Sequence, residues 1–180
     1  MALRSSALIK RAKGIRLLGM DIDGVLTAGD VIVLESGEEV KAWNVRDRLG
    51  LALLHERKIP LVLAWVTGRT SNTVLRSARD LGVRYVVQGC DDKKTALTKI
   101  LKKEGLRFDQ AAFIGDDLID LPPLLSVGLS CCPADAILDV KKRVHYVSPY
   151  PGGRGVARDV MELILKAQHR WDPLVRSFLS

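Results

Sequence analysis

The sequence predicts an α/β fold: a doubly wound, mainly parallel sheet carrying a small β-hairpin. Three observations predict it. Short apolar runs of strand length alternate with longer helical stretches along the 180 residues, the order expected of strand–helix–strand units. Those runs are continuous, as in strands buried on both faces, and do not alternate with polar residues. Their ends carry turn residues with carboxylate, hydroxyl or amine groups, and that carboxyl edge is where open α/β sheets bind ligands. The length suits one domain with a single core.

In order along the chain, residues 1–13 form a basic arm. Arg4, Lys10, Arg11, Lys13 and Arg16 all precede the first acidic residue, so much of the net charge of +7 lies at one end. Residues 15–20 are the first buried strand, which ends in Asp21-Ile22-Asp23-Gly24. Two β-rich runs, residues 31–34 and 39–44, flank Glu35-Ser36-Gly37-Glu38 and predict a hairpin projecting from the loop after that strand. Asp47 is expected to cap a helix that carries Leu51, Leu54 and His55. Pro60 opens a strand over residues 61–66, followed by Thr67-Gly68-Arg69. A helix over residues 71–81 is ended by Gly82, and residues 83–87 form a third strand that ends in Gln88-Gly89.

Asp91 or Asp92 caps the next helix, which shows Ala96, Leu97, Ile100 and Leu101 on one face. Residues 111–114 are a fourth strand, ending in Gly115-Asp116-Asp117. Pro122 sits early in the following helix, residues 127–130 form a short strand, 134–138 a short helix and 144–147 a last strand. The turn Pro151-Gly152-Gly153-Arg154-Gly155 leads to a helix with Val156, Val160, Leu163 and Ile164. Residues 170–180 carry little pattern. The expected organisation is a single domain, with the arm 1–13 and a tail 169–180 outside its recognisable core.

Composition narrows the function classes. A hydrophobic content of 47% excludes general disorder. No apolar run approaches the roughly 20 residues that span a bilayer, and no secretion signal follows the basic start. Cys90, Cys131 and Cys132 are an odd set, and His55, His145 and His169 stand at no ligand-like spacing from them. They are expected to be reduced structural thiols of a cytoplasmic protein. Aromatic residues are few and not interleaved with the basic ones, which disfavours a nucleic-acid platform. A basic balance also draws in anionic substrates.

Two carboxylates one residue apart, Asp21 and Asp23, repel each other and call for a cation. The other strand ends supply complementary groups: Thr67 a hydroxyl, the 88–93 turn a lysine, and Asp116 and Asp117 further carboxylates. Taken singly, these features read as a turn, a helix cap or a solvated lysine. Their placement at successive strand ends points instead to phosphoryl transfer through an aspartyl-phosphate. Asp21 is the expected nucleophile and Asp23 the general acid/base, while Asp116 completes a Mg²⁺ site.

These segments resemble the haloacid dehalogenase superfamily of phosphohydrolases. Residues 21–26 match its first motif, Thr67 its second, Lys93 its third and residues 115–120 its fourth. Within it the chain is similar to the family that hydrolyses 3-deoxy-D-manno-octulosonate (KDO) 8-phosphate in making a lipopolysaccharide precursor. Asn44-Val45-Arg46-Asp47, Thr67-Gly68-Arg69, Gln88-Gly89, Gly128-Leu129-Ser130, Ala134-Asp135-Ala136 and Gly152-Gly153-Arg154-Gly155 carry that likeness, which runs from about Gly14 to Gln168.

The resemblance implies a Rossmann-like fold with the hairpin as a flap and no large cap domain. It implies Mg²⁺ held by Asp21, the backbone carbonyl of Asp23 and Asp116, with Asp117 and Asp120 around them, and phosphate held by Thr67 and Lys93. It also implies a homotetramer whose neighbouring subunits complete each site, the hairpin serving as an assembly element and Arg154 reaching a neighbour. For a sugar-acid phosphate, Arg46, Arg69 and Arg154 are the expected anion ligands. Asn44 and Asp47 are expected to bind hydroxyls, and Gly68 to line the same pocket.

Enzymes for a nine-carbon sugar-acid phosphate (KDN 9-phosphate) tend to carry Glu after Thr-Gly, where this chain has Arg69. A receiver-like signalling module takes its phosphate on a later strand. A non-catalytic domain that only assembles with a sugar-nucleotide enzyme is disfavoured because all four motif positions are filled. The chain departs from the pattern in a slightly longer strand containing Trp65, in Arg48 where a smaller residue is expected, and in Ser77 where relatives often carry arginine.

Overall fold

The computed structural model describes residues 5–179; Arg4 and the outermost residues of the predicted arm and tail lie outside them. Six strands form one parallel sheet: β1 (Leu17–Met20), β4 (Val62–Val66), β5 (Tyr85–Val87), β6 (Ala111–Ile114), β7 (Leu129–Cys132) and β8 (Tyr146–Val147), in the order β5-β4-β1-β6-β7-β8. β1 pairs in parallel with β4 on one side and β6 on the other. The chain builds outward through β4 and β5, then crosses back to β6. The order therefore reverses between β1 and β6, and their carboxyl ends form the crevice in which ligands of such sheets bind.

Successive strand residues point to opposite faces. Leu18, Met20, Leu63, Trp65, Ala112 and Ile114 join the core under α1 (Ser6–Lys13), α2 (Val45–Glu56), α3 (Asn72–Asp80) and α7 (Val156–Ala167). Leu17, Ala64, Val66, Ala111 and Phe113 join the opposite core under α4 (Lys93–Glu104), α5 (Leu121–Leu124) and α6 (Leu138–Lys141). Gly19 lies on the second face, where a methyl group would sit 2.8 Å from the Phe113 ring. Its missing side chain is the space that the buried Phe113 fills.

The predicted hairpin is present as β2 (Ile32–Val33) and β3 (Glu39–Val40), with Gly37 at φ 83° in its turn. Trp43, just after it, stacks on the buried Trp65 with ring centroids 5.5 Å apart and an interplanar angle of 15°. That contact ties the hairpin to the sheet.

Several expectations need correction. Asn44, not Asp47, caps α2: its side chain accepts from the Arg46 amide at 2.9 Å. The strand expected over 127–130 begins two residues later, because β6 pairs Ala112 with Leu129 and draws Cys131 and Cys132 into the sheet. The helix expected over 134–138 is displaced to 138–141, since Ala134 bonds to the Tyr150 carbonyl and Ala136 turns back to Pro133. Among the described residues, a helix lies near each end. Leu8 and Ala12 of α1 are buried, and the Gln168 amide group donates to the Ile15 carbonyl at 2.7 Å. At the other end, α8 (Trp171–Arg176) buries Leu174 and sets Trp171 beneath Arg158 and Lys166, each 5.1 Å from its ring.

Gly19→Ala is expected to cost about 1–3 kcal/mol through overpacking, and Phe113→Leu to relieve that clash. A double-mutant cycle by urea unfolding should therefore be non-additive; strict additivity would contradict this account of the β1–β6 contact.

Candidate active site

β1 delivers Asp21 to the carboxyl edge, where its amide donates to the Ile114 carbonyl at 3.0 Å. Past that bond the chain folds on itself: the Ile22 carbonyl accepts from the amides of Val25, Leu26 and Thr27 at 3.2, 2.8 and 3.0 Å. This tight loop holds Asp21 nearly buried. One Asp21 oxygen accepts from the Ile22 amide at 2.7 Å, and the other lies 2.8 Å from the Lys93 ammonium. Gly24 sits at φ 84° against Asp116, whose Oδ2 would be only 2.1 Å from a methyl group there. Both the backbone angle and the close approach require glycine.

Lys93 is the first residue of α4, which Asp92 caps by accepting from the Thr95 amide at 2.9 Å. Its side chain is fully buried, and its ammonium lies between Asp21 and Asp120, 2.7 Å from the latter. Asp120 is also fully committed on its other oxygen, which accepts from the amides of Asp116 and Asp117 at 2.9 and 3.3 Å. Thr67, at the end of β4, is buried, and its hydroxyl oxygen accepts from the Arg69 amide at 3.3 Å. Gly68 is exposed beside it, with the Cys90 carbonyl nearby.

The carboxylates outnumber the ammonium. Burial, then repulsion from Asp120, raises the Asp21 pKa to about 6, although Lys93 and the Ile22 amide pull it down. Burial and the neighbouring carboxylates, Asp120 and Asp21 foremost, raise Asp116 to about 7. Burial acts to lower Lys93, but Asp120 and Asp21 more than offset it, and its pKa rises. A site strained in this sense favours a bound cation.

The donor set fits a divalent cation. Oxygens of Asp21, Asp116 and Asp120 lie within 4.8 Å of one another, and the buried Asp116 Oδ1 has no hydrogen-bond partner among the described residues. Of these three, Asp116 is the one with a buried oxygen lacking a partner, while Asp120 meets Lys93 and two amides and Asp21, beside it, meets Lys93 and the Ile22 amide. Asp120 orients Lys93 and the Asp116 loop.

Of the predicted residues, the structure brings Asp21, Asp23, Lys93, Asp116 and Asp120 together around the β1–β6 crevice, with Thr67 at the end of the adjoining β4. Asp23 has one oxygen paired with Lys41 of the hairpin and the other buried without a partner. Asp117 caps the next turn, accepting from the Leu118 amide at 2.6 Å. Arg69 pairs with Glu39 of the hairpin, which holds its carboxyl below the usual range.

The remaining expected substrate ligands are placed differently. The Asn44 side-chain oxygen is taken up by its helix cap. Arg46 lines a hollow of about 310 Å³ between α2 and α7 that contains none of the clustered carboxylates. Arg154 is exposed. Asp47 is 2% exposed and accepts from the amides of Gly155 and Arg158, so its expected role as a hydroxyl ligand does not fit its place in the fold. Lys41 and Glu39 were missed, because a charge on a short hairpin carries no local signal of what it will touch.

A model of the haloacid dehalogenase-like hydrolase family matches residues 86–159. The 3-deoxy-D-manno-octulosonate 8-phosphate phosphatase KdsC of Yersinia pestis is 41% identical over 162 residues, covering 90% of this chain and 86% of its own. Its Escherichia coli (strain K12) counterpart is 39% identical over 168 residues, covering 93% and 88%. A crystal structure of the Moraxella catarrhalis 3-deoxy-D-manno-octulosonate 8-phosphate phosphatase, in complex with magnesium ion, phosphate ion and KDO, aligns with a TM-score of 0.93 at 38% identity, over 97% of this chain and 99% of that one. With the acid loop, buried lysine and second acidic loop all in place, this chain belongs to the 3-deoxy-D-manno-octulosonate 8-phosphate phosphatases of the haloacid dehalogenase-like hydrolases.

Proposed function

We propose that the protein is a Mg²⁺-dependent phosphatase that hydrolyses KDO 8-phosphate to KDO and inorganic phosphate. The observation that carries this reading is the pairing of Asp21 with the buried Lys93 beside an unpartnered Asp116 oxygen. Asp21 attacks phosphorus, and the bond from phosphorus to the sugar oxygen breaks. Asp23 gives its proton to that oxygen as it leaves. Water then attacks the phosphorus of the aspartyl-phosphate, loses its proton to Asp23 and frees Asp21. Lys93 and Thr67 hold the phosphoryl oxygens, and Lys41 fixes the Asp23 carboxyl at the mouth of the site. Asp21, Asp116 and the backbone carbonyl of Asp23 are the groups to hold Mg²⁺, which supplies positive charge against the phosphoryl oxygens.

Arg69 is the anion ligand best placed for the sugar carboxylate, standing directly after the Thr67 strand end. Assembly as a homotetramer is supported by the hairpin, whose Val31, Ile32, Val33, Leu34 and Val40 are all exposed. That apolar patch needs a cover, and a neighbouring subunit supplies one beside the site. The reaction is placed in the cytoplasm, which suits three free cysteines. No helix among the described residues is long and apolar enough to cross a membrane.

Phosphate release should be measured with KDO 8-phosphate, KDN 9-phosphate and small sugar phosphates, alongside sedimentation of the same sample. The expected result is the highest kcat/KM for KDO 8-phosphate and a mass of four chains. A clear preference for another ester would overturn the substrate, and a monomer the assembly.

Metal binding should depend on pH in a defined direction. Raised carboxylate pKa values mean that the contribution of these two groups to metal-free stability is fully present below the unfolded value near 3.8 and is lost as pH rises through about 6 and about 7. Mg²⁺ binds the ionised forms and must displace protons at low pH. At a hundredfold excess over Kd, its stabilisation is about 2.7 kcal/mol. Thermal unfolding should show a larger Mg²⁺-induced rise in Tm at pH 8 than at pH 5; equal rises would contradict the assignment of Asp21 and Asp116.

A further inference from the structure

Asp47 is one of the most buried carboxylates in the protein, yet it lies outside the catalytic cluster. It sits in the first turn of α2 and spans to the start of α7, where one oxygen accepts from the Gly155 amide and the other from the Arg158 amide, each at 2.9 Å. Burial pushes its carboxyl up, and those amides pull it back. A carboxylate at a helix start, bonded to free amides, is favourable. Here the helix it serves is not its own.

The turn just before that helix start is packed against the acid loop with nothing in between. The Gly153 amide donates to the Val25 carbonyl at 2.8 Å, and the Gly152 amide donates to Asp135 at 2.9 Å. A methyl group at Gly152 would lie 2.0 Å from the Gly24 carbonyl oxygen, and one at Gly153 would lie 2.5 Å from the Thr27 carbonyl carbon. Gly24 in turn is wedged against the Asp116 carboxylate. The turn meets the loop backbone on backbone, and the loop meets the Asp116 carboxylate at Gly24, so a displacement of the turn passes directly to Gly24 and to the peptide of Asp23 before it.

We infer that Asp47 is a positioning residue for the catalytic loop: by anchoring the start of α7 it seats the Gly152-Gly153 turn on residues 24–28 and so sets Asp23 and Gly24 against Asp116. Its effect on catalysis rests on the function proposed above; its effect on the loop does not. Asp135 holds the same turn from its exposed side with a single bond. Asp47 accepts two amides with two oxygens, so the amide of Asn cannot replace it, because one NH₂ would face a backbone N–H.

The test uses Asp47→Asn and Asp135→Ala in the full chain, with amide hydrogen exchange of the metal-free protein, Mg²⁺ affinity by calorimetry and steady-state kinetics. Expected for Asp47→Asn are exchange at Val25, Leu26 and Thr27 at least about tenfold faster, weaker Mg²⁺ binding, and kcat lower by on the order of tenfold or more with KM within about twofold. Asp135→Ala should shift exchange in the same direction by less. A merely structural role would lower Tm while leaving loop exchange and kcat, measured well below Tm, at wild-type values; that result overturns the proposal. If Asp47→Asn does not fold, unchanged exchange over residues 25–27 in Asp135→Ala overturns it instead. If the wild type does not hydrolyse KDO 8-phosphate, the proposed function fails while the exchange comparison still decides the role of Asp47.

Discussion

The buried ammonium of Lys93, held between Asp21 and Asp120, is the interaction on which the site depends. A lone buried charge is very costly, and a paired one is tolerable only when its partners are well placed and otherwise satisfied. Both conditions hold here. Asp21 takes an amide bond from Ile22 as well as the ammonium, and Asp120 takes two amides on its remaining oxygen. Asp120 thereby links Lys93, at the head of α4, to the Asp116 loop after β6. Gly115 permits this link, since a methyl group there would lie 2.4 Å from the Asp120 Cβ.

The sheet makes that pairing possible. Reversal of strand order between β1 and β6 places two acidic loops side by side, and α4 starts at the same edge shortly after β5. Glycines then let these loops approach more closely than side chains would allow. Gly19 admits the Phe113 ring onto the sheet face above it, Gly24 admits Asp116, and Gly152 and Gly153 admit the acid loop itself. The close contacts run from the core outward to the site. The hairpin adds a charged layer, with Lys41 on Asp23 and Glu39 on Arg69.

Much of this was legible in the residues, and the limits have physical causes. Buried parallel strands are continuous apolar runs, so β1 and β6 could be placed to within a residue or two, and the acids after them fell at the right edge. Asp120 was placed near the metal ligands, though its bond to Lys93 depends on how α4 packs. Asp47 was misassigned because an acid near a helix start looks like that helix's own cap; only the packing of α2 beside α7 reveals that it serves a different helix. The terminal helices escaped notice because α8 has six residues and α1 buries only Leu8 and Ala12. Lys41 and Glu39 could not be singled out, since their partners are set by the docking of Trp43 on Trp65.

The central claim is that the carboxylate held by Lys93 is the one that takes the phosphoryl group. Rapid acid quench of a turnover with ³²P-labelled KDO 8-phosphate, followed by peptide mapping, tests it directly. The account predicts label on the peptide containing Asp21 and its loss in Asp21→Asn. Label on any other residue, or turnover with no labelled protein at any time, would contradict it.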